Sequence, residues 1–246
     1  MKKYSLVRSR IETFTRSDGK KVMLLPEPYC RLCAKPVSLN FGGWKICYDC
    51  NRGESQVDEI NLSRIYAATI YVPKVESNVL INEEIKNCKQ DPSYVNNLVE
   101  VLEYVIKNKH PELNSMDILI PPPRGEKTDY NHMFEITKEL SRRIGIPTKD
   151  ILCKNEDYPS QVGLDRGARI ENVKGKIGCN ERVDGKRILL VDDVVTTGAT
   201  MLNSAIALKE KGAHEVVGLV IGRDTSTENL LFCGVLEEIG DTDEES

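Results

Sequence analysis

Ile188-Leu189-Leu190-Val191-Asp192-Asp193-Val194-Val195-Thr196-Thr197-Gly198-Ala199-Thr200 runs from an unbroken apolar tetrad into two carboxylates and then a small, hydroxyl-rich turn. Four consecutive apolar residues suit a short strand buried on both faces. Asp192 and Asp193 are then expected at its carboxyl end, and a helical pattern starts beyond the turn. In open α/β sheets ligands settle outside the carboxyl ends of strands. Backbone N–H groups at the start of a following helix favour an anion. The arrangement suits a 5-phosphate on Thr196, Thr197, Gly198, Ala199 and Thr200, with Asp192 and Asp193 accepting hydrogen bonds from two ribose hydroxyls. Each such charge-assisted bond is worth roughly 1.5–3 kcal/mol. The competing reading is a buried strand whose acidic pair caps a turn. It accounts poorly for two adjacent carboxylates, which repel each other where a cap needs only one.

The flanking sequence predicts the elements that would surround such a strand. Over 94–108, Val95, Leu98, Val99, Leu102, Val105 and Ile106 fall on one helical face. Asp117 to Ile120 reads as a strand that stops at Pro121-Pro122-Pro123. Met133, Ile136, Leu140 and Ile144 mark a second helix that ends at Gly145, with Pro147 beyond. Ile151 to Cys153 is a short strand candidate. Residues 154–186 are polar and read as irregular, a length that connections reach when they are functional or disordered. After 188–191 come a helix to Lys211 and a buried strand over Val216 to Ile221. This alternation argues for an α/β fold with a mainly parallel sheet. Upstream, residues 5–25 read as a β-hairpin turning at Ser17-Asp18-Gly19. Arg52 to Asn61 reads as a polar joint, and Ile65 to Val75 is rich in β-formers. The expected organisation is a hairpin and cysteine-rich region at 1–55, an α/β domain at 56–236, and an acidic tail without structure at 237–246.

With 40% hydrophobic and 29% charged residues, the composition is that of a soluble globular chain long enough to bury a substantial core. No apolar run approaches bilayer length. Tyr4 to Arg16 is too polar to be the apolar region of a signal peptide, so a cytoplasmic location is expected. Charge is uneven: residues 1–50 carry a formal +6 within a chain that totals −4. A basic head can be a nucleic-acid contact or simply a solvated small unit.

Cys30, Cys33, Cys47 and Cys50 form two C-x2-C pairs thirteen residues apart; Cys88, Cys153, Cys179 and Cys233 are scattered. Two matched pairs suit four thiolates around a tetrahedral zinc ion, with no coordination position left for catalysis. A redox pair and two disulfides are the rival readings. A second chemical stretch, Pro123-Arg124-Gly125, directly follows the strand at 117–120. Arg124 has the fork geometry for phosphate oxygens, although a Pro-rich turn with one Arg is commonly just a turn. A third lies in the long connection, where Gln161, Arg166 and Arg169 stand in a polar run that ends Glu171-Asn172-Val173-Lys174-Gly175.

The 188–200 segment closely resembles the phosphoribosyl pyrophosphate (PRPP) loop of type I phosphoribosyltransferases. Taken with the cysteine cluster and the long connection, the chain from about Cys30 to Asp224 resembles the ComF family. That family joins an N-terminal zinc ribbon to a phosphoribosyltransferase domain and includes competence proteins used in DNA uptake. The resemblance implies a type I phosphoribosyltransferase fold behind a four-cysteine zinc ribbon, with structural Zn2+ and with Mg2+ bound alongside PRPP. Asp192 and Asp193 would be the catalytic pair. Pro123, Arg124 and Gly125 would form the pyrophosphate loop, and Gln161, Arg166 and Arg169 a flexible loop over the substrate.

Two departures stand out. Where ComF-like chains carry Arg-Gly-Phe-Asn-Gln, this chain reads Thr128-Asp129-Tyr130-Asn131-His132, after a shorter loop; only Asn131 fits. His132 replaces the Gln as a hydrogen-bonding group or is an ordinary surface His at a helix start. Thr196 stands where 6-oxopurine enzymes of the superfamily have an acid, which counts against a hypoxanthine–guanine enzyme. Three readings follow: transfer of ribose 5-phosphate from PRPP to an unidentified acceptor, a nucleic-acid-handling competence accessory, and a PRPP sensor without turnover.

Overall fold

The computed structural model describes residues 3–38, 46–52, 60–73, 75, 77–123, 130–155 and 175–239. Along the chain the elements are β1 (Lys3–Leu6), β2 (Thr13–Thr15), β3 (Lys21–Met23), α1 (Tyr48–Asn51), β4 (Arg64–Tyr71), α2 (Asn82–Asn87), α3 (Val95–Asn108), β5 (Ile118–Ile120), α4 (His132–Ile144), β6 (Leu152–Lys154), β7 (Ile177–Cys179), β8 (Arg187–Val195), α5 (Ala199–Glu210), β9 (Glu215–Asp224), α6 (Thr227–Phe232) and β10 (Leu236–Ile239). The central sheet has the order β4-β9-β8-β5, and every pairing in it is parallel. This is the α/β fold with a parallel central sheet that the sequence predicts. No helix among the described residues is long and apolar enough to cross a membrane.

Period-two alternation divides the sheet between two cores. Leu189, Val191, Leu219 and Ile221 face α3 and α4, where Leu98, Leu102, Ile106, Ile136 and Leu140 are buried. Ile188, Leu190, Val216 and Val220 face the other way, against Met201, Leu202, Ala205 and Leu208 of α5. Each such side chain contributes about 1.5–3 kcal/mol on burial. A Cβ at Gly218 would lie 2.9 Å from the Met201 sulfur, so a glycine is what lets α5 approach the sheet this closely. The second helix ends as expected, with Gly145 in the left-handed region at φ 77° and its N–H on the Ser141 carbonyl.

Several expectations are corrected by pairings that the sequence does not announce. The hairpin is β2–β3 alone; β1 instead pairs antiparallel with β10, with Ser5 opposite Glu237. Glu237 and Glu238 therefore lie in a strand, and the acidic tail starts later than 237. The hairpin is not part of a separate 1–55 unit either. Phe14, Val22 and Leu24 belong to the α3 core, and the Leu25 N–H bonds to the Ala68 carbonyl at 2.8 Å. The long connection is not wholly irregular, since β7 returns along β6 at its end. Residues 156–174 of that connection lie outside the described residues.

One buried charge cluster fixes the hairpin against α2. Arg16, 3% exposed, pairs with Glu84 at 2.5 Å and with Asp18 at 2.5 Å, and Lys20 also pairs with Glu84. Removing one member of a buried pair leaves an uncompensated charge. Arg16→Met is expected to cost about 3 kcal/mol, the low end for such pairs because Lys20 remains. A urea denaturation midpoint unchanged from wild type would show that the cluster contributes nothing.

Candidate functional site

β8 is longer than predicted, and its neighbours explain how it still presents the acidic pair. On one side β5 stops at Ile120, opposite Leu190. On the other, β9 accompanies β8 to the pair Val195–Arg223. Asp192 and Asp193 thus stay in the strand yet lie past the end of β5, at the carboxyl edge of the sheet. The Asp193 N–H donates to Asp192 Oδ1 at 2.9 Å, and the Val194 N–H donates to Asp193 Oδ1 at 2.6 Å. The second oxygen of Asp193 meets two side chains, Lys89 Nζ at 2.9 Å and His132 Nε2 at 3.3 Å. Burial and the neighbouring Asp193 carboxylate push the pKa of Asp192 up. Burial pulls Asp193 the same way, but the hydrogen bonds from His132 and Lys89 outweigh it and hold Asp193 below the ordinary carboxylate range. The two adjacent carboxylates are thereby shifted in opposite directions.

The turn follows at once. Gly198 takes φ 83°, a conformation that favours glycine, and caps α5, where Leu202 N–H returns to its carbonyl at 2.9 Å. Thr197 Oγ1 accepts the Ala199 N–H at 3.3 Å. Thr196, Thr197 and Thr200 are exposed. Arg223, near the end of β9, donates through Nη1 to the carbonyls of Val195 at 2.7 Å and Thr196 at 2.6 Å. Both carbonyls are thus already bonded, and the exposed Thr196, Thr197 and Thr200 hydroxyls at a helix start give the turn a composition that suits a phosphate.

Of the predicted residues, Asp192, Asp193, Thr196, Thr197, Gly198, Ala199 and Thr200 are brought together in this continuous segment. Pro123 is buried just beyond β5. Arg124, Gly125, Gln161, Arg166 and Arg169 lie outside the described residues. His132 is more than a surface residue at a helix start, since Asn131 Oδ1 accepts the Phe134 N–H at 3.2 Å, caps α4 and sets His132 beside Asp193. Lys89 and Arg223 were not singled out from sequence. Neither sits in a motif of its own, and each owes its place to a partner far along the chain. Cys88, next to Lys89, is buried, and burial pushes its thiol up to about 11.

The second site is the cysteine cluster. The sulfurs of Cys30, Cys33, Cys47 and Cys50 all lie within 4.8 Å of one another. The Cys33–Cys47 separation is 3.7 Å; a tetrahedron with bonds of about 2.3 Å has edges of about 3.8 Å. Two tight turns bring the pairs to this point. In the first, Ala34 N–H bonds to the Cys30 carbonyl with Ala34 at φ 58°; in the second, Asn51 N–H bonds to the Cys47 carbonyl. Lys35 and Asp49 pair across them at 3.1 Å. The cluster could hold one tetrahedral metal ion such as zinc.

Comparison with known proteins agrees with the geometry. Residues 134–228, which contain the acidic pair and the turn, match the phosphoribosyl transferase domain family. The chain is 34% identical over 98 residues to a hypoxanthine/guanine phosphoribosyltransferase of Methanosalsum zhilinae, covering 39% of this chain and 50% of that protein. It is 35% identical over 100 residues to an orotate phosphoribosyltransferase of Pyrococcus abyssi, covering 35% and 53%. It is 28% identical over 113 residues to competence protein F of Haemophilus influenzae, covering 43% and 49%. The chain spans about half the length of these curated relatives.

Proposed function

We propose that this chain is a ComF-like phosphoribosyltransferase that binds PRPP at 192–200 and transfers ribose 5-phosphate to an acceptor nitrogen. The observation that carries the reading is the acidic pair delivered by β8 to the sheet edge, directly before a Gly198-capped phosphate turn. The 5-phosphate rests on the N–H groups of the turn, and Asp192 and Asp193 hold the ribose hydroxyls. The nitrogen–C1 bond forms as the C1–oxygen bond breaks, and pyrophosphate leaves. Positive charge gathers on the ribose ring in between, and the Asp193 carboxylate stabilises it electrostatically. Mg2+ bound together with PRPP beside Asp192 and Asp193 would offset part of the diphosphate charge. Pro123, Arg124 and Gly125 remain the proposed pyrophosphate loop, and Gln161, Arg166 and Arg169 the proposed lid.

The zinc ribbon part of the proposal rests on the sulfur distances and on the likeness to competence protein F. Thr196 supplies no carboxylate for a 6-oxopurine, so the acceptor is proposed to lie outside hypoxanthine and guanine despite the likeness to an enzyme of that name. The competence relative also keeps open a nucleic-acid contact through the basic head.

Calorimetry with PRPP and Mg2+, set against ribose 5-phosphate, tests the site directly. Wild type is expected to bind PRPP. Thr197→Glu places a carboxylate where the 5-phosphate sits and is expected to abolish the binding heat. Full binding by this variant would move the phosphate elsewhere.

A further inference from the structure

Lys89 and His132 reach Asp193 from two separate parts of the fold. Lys89 follows α2, which is anchored twice. Asn82 at its start bonds through Oδ1 to the Val72 N–H at 3.1 Å and through Nδ2 to the Val72 carbonyl at 2.8 Å, and Glu84 is held by Arg16. His132 opens α4 behind the Asn131 cap. Both side chains converge on one oxygen, Asp193 Oδ2, while Oδ1 accepts the Val194 N–H, so a ribose hydroxyl that approaches Oδ2 competes with Lys89 and His132. The Lys89 side chain is 52% exposed, so it can swing away at little cost, whereas that of Asp193 is 12% exposed and stays.

Resting on the reading of 192–200 as a PRPP site, we infer that Lys89, assisted by His132, covers Asp193 in the absence of ligand and receives the 1-diphosphate when PRPP arrives. The direction of the ligand follows from the fold. With the 5-phosphate on the turn before α5, C1 points to the opposite end of the acidic pair, where Pro121–Pro123 leave β5 and α4 begins. That is where Lys89 and His132 stand. A sugar phosphate must take Lys89 from its carboxylate to bind. PRPP brings anionic oxygens at C1 that replace the lost partner; ribose 5-phosphate brings none at C1 and leaves the ammonium unpaired. The exchange makes Lys89 a specificity-determining residue that selects for the activated donor.

The test is titration of wild type, Lys89→Met and Lys89→Arg with PRPP–Mg2+ and, separately, with ribose 5-phosphate. Loss of one charge-assisted contact predicts that Lys89→Met binds PRPP about tenfold to a hundredfold more weakly. The same variant is expected to bind ribose 5-phosphate as well as wild type or better, because Asp193 is uncovered. Lys89→Arg is expected to keep most of the preference. An equal loss for both ligands overturns the inference, since Lys89 then only props Asp193. Unchanged PRPP binding overturns it too and leaves the site at 192–200 standing. Wild type that binds no PRPP removes both together.

Discussion

Replacing Asp192 and Asp193 together with Asn is expected to weaken PRPP binding by more than about a hundredfold, from two charge-assisted bonds at roughly 1.5–3 kcal/mol each. The substitution keeps volume and strand geometry and removes charge. Either single substitution is expected to cost less than the pair, and the two sites are coupled, because Asp192 is pushed up in part by Asp193. Losing the charge of Asp193, in the single or the double variant, would also release Lys89 and return some affinity for the diphosphate. The cysteine cluster should be indifferent, since it forms a small cluster of its own, apart from both cores of the sheet. Calorimetry is the measurement. A double Asn variant that binds PRPP–Mg2+ as tightly as wild type places the site elsewhere. A wild type with no affinity for PRPP makes the turn a structural relic and brings the nucleic-acid reading forward, for which salt-dependent DNA binding is the check.

A comparably large effect is expected in the head. Wild type should carry one zinc ion per chain on Cys30, Cys33, Cys47 and Cys50, and Cys30→Ser should lose it along with the order of the surrounding turns. The apolar content of the head is slight: beyond the cysteines its cluster has only partly buried Leu32, Val37 and Ile46 among the described residues. Such a unit has too little core to fold alone, whereas a structural zinc supplies roughly 10–16 kcal/mol at neutral pH. The body should survive, because its two cores are built around the central sheet. It will feel the change at one seam. There the Leu32 carbonyl accepts Ile65 N–H at 2.7 Å, and the Pro36 carbonyl accepts Asn229 Nδ2 and the Cys233 thiol. Elemental analysis and thermal melting decide it. Absence of zinc from protein purified without chelator, or stoichiometric zinc retained by the Ser variant, would sink this assignment.

Residue pattern alone determined the apolar tetrad at 188–191 as a buried strand, the acidic pair and turn after it, the faces of α3 and α4, the Gly145 stop and the paired cysteines. All of these depend on neighbours within a turn or a strand, where side-chain period, backbone conformation and ligand spacing are local matters. The tertiary structure alone decided that β1 closes onto β10, that Arg16 is buried against Glu84, that Arg223 holds the carbonyls of the phosphate turn, and that Lys89 and His132 share one oxygen of Asp193. Lys89 stands among Lys86, Asn87 and Gln90, and nothing in that polar run marks it out. Its role arises because the parallel crossovers bring the loop after β4 and the start of α4 to the same end of the sheet as Asp193. An ion pair between such distant segments carries no periodic signature, since its energy depends on where the chain returns and not on what lies beside it in sequence.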